Sequence, residues 1–94
     1  MSILGIDYGD KRLGIALSDP LGMIAHPLTF IPKNKKVEAD ARAIKLVIEE
    51  YSEIEKIVVG LPKTMKGEIG PAAQKVLEFV EELKSFFTQE IITW

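Results

Sequence analysis

The chain has 94 residues, is 47% hydrophobic and 28% charged, carries a formal net charge of -2 and contains no cysteine. That length suits one small globular domain with a single modest core. The missing thiols exclude a disulfide framework and a thiolate metal site. No apolar run approaches the roughly 20 residues a membrane helix needs, and no signal-peptide pattern opens the chain, so a cytoplasmic protein without membrane contact is expected.

The first two elements read as a hairpin. Ser2 to Asp7 is an apolar run ending in a carboxylate, a Gly-containing polar turn follows, and Arg12 to Leu17 is the second strand. Asp7 stands at the mouth of that turn. It could simply start the turn, as Asp often does. Equally, a carboxylate ending a buried strand must be solvated, hydrogen-bonded or bound to a metal, which makes it a candidate for chemistry.

Ser18-Asp19-Pro20-Leu21-Gly22 is a turn, and a third extended run goes from Met23 or Ile24 to Ile31. Pro27 interrupts it, so this strand belongs at a sheet edge or bends there. After the loop 32–36, the apolar residues Val37, Ala41, Ile44, Val47, Ile48 and Tyr51 recur at helical spacing. Lys56 to Gly60 is short, apolar and β-branched, the pattern of a strand buried on both faces. A Gly- and Pro-rich loop leads to Pro71, suited to the first turn of a second helix. That helix runs to about Phe86 and buries Ala73, Val76, Leu77, Val80 and Leu83. Glu90 to Trp94 is a final strand.

The order β-β-β-α-β-α-β implies an α/β fold with a mixed five-stranded sheet of order three, two, one, four, five. Asp7 then neighbours the Gly60 loop, in the kind of crevice where open α/β sheets bind ligands. Lys11, Arg12, Lys33, Lys35, Lys36, Lys63 and Lys66 fall in turns and loops, where they could hold phosphates. Most acids, Asp40 among them, fall on or beside helices and read as a solvated face. Asp10 reads as a solvated turn residue and His26 as structural. Trp94 and the phenylalanines read as core.

Gly5-Ile6-Asp7-Tyr8-Gly9 with Lys11-Arg12-Leu13-Gly14-Ile15-Ala16, Ser18-Asp19-Pro20, Gly60-Leu61-Pro62, Met65, Gly67, Gly70 and Ala73 together resemble the YqgF/RuvX family. Those motifs span the whole chain in order. The resemblance implies a ribonuclease H-like fold and a nuclease, a hydrolase of phosphodiester bonds in structured nucleic acid. The implied substrate is pre-16S rRNA in ribosome biogenesis, with Holliday-junction-like branched DNA as the alternative. It implies Mg²⁺ or Mn²⁺ as cofactor, with Asp7 as catalytic metal ligand. Nucleic-acid contacts are expected from Lys11, Arg12, Lys63, Thr64 and Lys66, and the oligomeric state from a monomer to a weak dimer.

Two departures stand out. Lys66 occupies a position where the family often has Asp. The family also continues into an Asp-Glu-Arg motif and a later acidic helix, whereas this chain stops at Trp94. The expectation is therefore a single domain over residues 1–94, C-terminally incomplete, inactive alone and poorly covered on one sheet face. A non-catalytic nucleic-acid-binding fragment and a phosphate-binding ATPase of the actin-like superfamily are the other classes. Against the latter, Asp10 and Lys11 stand where that superfamily's hairpin usually has Ser or Thr.

Overall fold

The computed structural model describes residues 2–18, 25–49, 51, 54–62, 66–67 and 70–94. Its elements are β1 (Ser2–Tyr8), β2 (Arg12–Ser18), β3 (Ala25–Pro32), α1 (Val37–Ile48), β4 (Ile54–Val59), α2 (Pro71–Leu83) and β5 (Glu90–Thr93). They form one five-stranded sheet in the order β3-β2-β1-β4-β5. The hairpin strands pair antiparallel, while β4 runs parallel to β1 and β5 parallel to β4, as helical crossovers require. Pro27 lies on the edge strand. There the register slips so that Ile15 faces Thr29 but Ala16 faces Pro27, a bulge where a missing N–H is tolerated.

Alternation assigns the two faces. Leu4, Ile6 and Tyr8 of β1, Leu13 and Ile15 of β2, and Ile57 and Val59 of β4 point one way into a single core. Both helices supply the other half of it, through Ala41, Ile44 and Ile48 of α1 and Val76, Phe79, Val80 and Leu83 of α2. The opposite face carries Ile3, Gly5, Asp7, Gly14, Val58 and Ile92, and no described helix packs on it.

Several expectations need correction. β4 is buried on one side only, because Val58 faces the uncovered side and is half-buried. An apolar, β-branched run satisfies either arrangement, so its pattern cannot separate them. Phe79, not Leu77, sits on the core face of α2, in step with Val76, Val80 and Leu83. Asp40 is fully buried, and Trp94 and Phe30 are 87% and 61% exposed rather than core. The bulge at Pro27 breaks the strand's simple alternation, so Leu28 packs against the core while Phe30, two residues on and read as core from the sequence, lies beside Gly14 on the other face. Helix α1 ends at Ile48, leaving Tyr51 exposed beyond it.

Candidate functional site

Asp7 and Tyr8 are consecutive strand residues and therefore face opposite ways. Asp7 is exposed at the C-terminal end of the central strand, directly across from Gly14. It lines an open cleft of about 470 Å³ with Gly9, Asp10, Gly60, Leu61, Pro62, Ala72 and Trp94. Exposure solvates the carboxylate, so its place beside a core strand costs little.

The turn that presents Asp7 is tightly wound. The Gly9 N–H donates to the Asp7 and Arg12 carbonyls, each at 3.1 Å. A Cβ on Gly9 would lie 2.7 Å from the Arg12 carbonyl oxygen, so no other residue fits without moving backbone. Lys11 and Arg12 are exposed at this turn, and the Arg12 guanidinium lies 4.5 Å from the centre of the Phe30 ring. The Lys33 N–H donates to the Lys11 carbonyl at 3.1 Å, tying the hairpin to the loop before α1.

Beneath this turn lies a polar cluster that the sequence reading missed. The Tyr8 hydroxyl donates to Asp40 Oδ2 at 2.7 Å. Asp40 Oδ1 accepts from the Asn34 backbone N–H at 2.7 Å and from its side-chain amide at 3.3 Å. Burial pushes the Tyr8 phenol well above its ordinary value, reinforced by the hydrogen bond to Asp40 and by that residue's charge. Lys33 Nζ lies 4.6 Å from the Tyr8 ring centre, and Phe79 packs on the ring at 4.4 Å. A signal for Asp40 existed: it falls three residues after Val37 and four before Ile44, on the apolar stripe of α1.

Of the expected contact residues, Lys11 and Arg12 flank the Asp7 turn. Lys66 is exposed beside Gly67, whose φ of 78° is the left-handed conformation glycine accepts. Lys63, Thr64, Asp19, Met65 and Glu68 lie outside the described residues. The described residues contain no group of three or more His, Asp or Glu side chains able to hold a metal. Asp7 fits a hydrated Mg²⁺, which commonly takes one or two protein carboxylates with waters and substrate phosphate. It does not by itself build a two-metal centre.

A mixed sheet in this order, with both described helices on one face and an exposed carboxylate ending the central strand, is the ribonuclease H-like fold. T. thermophilus RuvC in complex with Holliday junction substrate shares this fold: TM-score 0.65, 16% identity, 100% of this chain and 64% of that one. The RuvX family model, described as Holliday junction resolvase, matches residues 1–94. A curated relative from Thermoanaerobacter pseudethanolicus, named "Putative pre-16S rRNA nuclease", is 51% identical over 100% of this chain and 66% of its own length. One of the same name from Desulforudis audaxviator is 43% identical over 100% of this chain and 65% of its own. The chain belongs to the RuvX family. It spans just under two thirds of the length of these relatives.

Proposed function

We propose that this chain carries the sheet and the first acidic ligand of a metal-dependent nuclease that processes the 5′ end of pre-16S rRNA. The observation that carries this reading is Asp7: an exposed carboxylate ending the central strand, in an open cleft, in a chain of the RuvX family. Asp7 would hold Mg²⁺ or Mn²⁺, which supplies an activated water and stabilises the leaving oxygen. Lys11 and Arg12 contact phosphates beside the scissile linkage, and Lys63, Thr64 and Lys66 are further proposed backbone contacts. The Asp40–Tyr8 hydrogen bond holds the strand end from below, so the carboxylate is presented in one place.

The test is cleavage of a pre-16S leader RNA with and without Mg²⁺, by this chain and by a form as long as its curated relatives. The longer form should cut, its Asp7→Asn variant should not, and the 94-residue chain should be inactive or nearly so. Robust cleavage by the short chain, or undiminished cleavage by Asp7→Asn, overturns the assignment. A branched-DNA substrate in the same assay separates the resolvase reading, which the family description favours. The lack of a three-carboxylate group among the described residues favours a nucleic-acid-binding role for these 94 residues by themselves.

A further inference from the structure

The hairpin turn and the loop before α1 are tied to each other. Arg12 pairs with Pro32 across β2 and β3, and the next step along brings the Lys33 N–H to the Lys11 carbonyl at 3.1 Å. Buried Asp40 fixes the loop from below, its Oδ1 accepting from the Asn34 backbone N–H at 2.7 Å and side-chain amide at 3.3 Å. That pinned loop carries Lys33, Lys35 and Lys36. Lys33 is half-buried with its Nζ 4.6 Å from the Tyr8 ring centre, and Lys35 and Lys36 are exposed.

These cations stand on both sides of the end of β1. Arg12 lies on the Asp7 side, over Phe30, and Lys33 lies on the Tyr8 side. Lys11, Arg12, Lys33, Lys35 and Lys36 thus form one strip that leaves the Asp7 turn, rounds the end of the sheet and reaches the start of α1. Among the described residues none of the five makes an ion pair, whereas Arg42, Lys56, Lys75 and Lys84 each do. Nearby carboxylates are engaged elsewhere: Glu38 pairs with Arg42, and Asp40 is held by its hydrogen bonds. Glu78, Glu81 and Glu82 of α2 share a hollow with Lys35 and Lys36, and their charge bounds the strip on that side. Asp7 and Asp10 lie at the cleft end. In a chain of net charge -2, cations gathered in this way are the footprint of a polyanion.

We propose that this strip is a phosphate track: a polynucleotide held at the Asp7 cleft continues over Lys11 and Arg12, and loop 33–36 grips the backbone of its flank. The proposal rests on the nucleic-acid reading of the cleft and extends it to Lys33, Lys35 and Lys36, none of which lines that cleft. Contacts of this kind read charge and not sequence, so RNA and DNA strands are held alike and affinity falls with salt. Because the loop is already fixed by Asp40 and by the Lys11 carbonyl, little of its ordering opposes binding.

Short labelled RNA and DNA strands of mixed sequence are titrated by anisotropy in EDTA, where metal-dependent cleavage is off. The proteins are this chain and a form as long as its curated relatives. Lys33→Gln with Lys35→Gln and Lys36→Gln should weaken binding of both strands about 10- to 100-fold at moderate salt and lower the salt slope by about 2–3. Lys35→Gln with Lys36→Gln, two exposed positions that leave the Tyr8 packing alone, should give about half that change in slope. Lys33→Arg keeps the charge and should bind close to the parent. The control removes three charges at the opposite end of the sheet, where β1 begins and both helices finish: Lys45→Gln with Lys56→Gln and Lys84→Gln should leave affinity near the parent's. Equal losses in the two triple variants overturn the track, since net charge would then explain binding. A loop variant with parental affinity and slope, while Lys11→Ala with Arg12→Ala weakens binding, removes the track and keeps the cleft. No binding of either strand by the parent removes both. Loop-dependent binding without metal-dependent cleavage by the longer form would keep the track and remove the nuclease reading.

Discussion

The two faces of this sheet are built to opposite rules. The helix-covered face is packed with Leu4, Ile6, Leu13, Ile15, Ile57 and Val59 against two amphipathic helices, and its one buried charge, Asp40, accepts three hydrogen bonds. The uncovered face carries glycines, an exposed carboxylate and two exposed rings. One residue step along β1 separates them, from Asp7 to Tyr8. Among the described residues the first face supplies the core by itself. The chain packs its core on one side and exposes the Asp7 carboxylate on the other.

That division can be broken by substitution. Asp7→Asn in a form of the relatives' length should reduce cleavage below detection while leaving the melting curve unmoved; a shifted melt would show that Asp7 also serves the fold. On the covered face, Phe79→Ala should cost about 3–5 kcal/mol in denaturant unfolding, since it empties the centre of the core. Nucleic-acid affinity extrapolated to the folded state should stay near the parent's. Asp40→Ala should cost about 2–3 kcal/mol, because it leaves the buried Tyr8 hydroxyl without its acceptor and removes the tie to the Asn34 N–H groups. It should also lower cleavage by loosening the strand end, whereas Phe79→Ala should not do so at equal folded fraction.

Tyr8→Phe is milder, about 1–2 kcal/mol, and carries a pH signature. The folded phenol is raised above its ordinary value of 10.0, so the neutral form's contribution is fully present below pH 10 and is lost as pH rises past it. The parent should therefore lose stability in alkali more steeply than Tyr8→Phe, measured as urea midpoints on both sides of pH 10. Equal slopes would place the phenol outside the core. The smallest effect belongs to the uncovered rim. Lys11→Ala with Arg12→Ala should weaken binding about equally across sequences and reduce the salt slope by about 1–2. A loss confined to one sequence would show base readout there instead.

Much of this was legible in the residues alone. The hairpin, the edge strand at Pro27, the helix started by Pro71 and the strand order follow from alternation, helical spacing and proline's missing N–H, which are local properties of the chain. The place of Asp7 at a strand end was legible too, since it needs no knowledge of neighbours. What the sequence could not say is which face the helices would cover. That choice alone decides that Val58 is half-open, that Trp94 and Phe30 face water, and that Asp40 lies under Tyr8 instead of in solvent. Nor could it align Phe30, Gly14 and Asp7, or bring Lys33 to Lys11, residues apart in the chain that meet only through pairing register. Periodicity reports that a residue has an inside and an outside; only tertiary packing, by setting layers and register, decides which is which and what stands next to it.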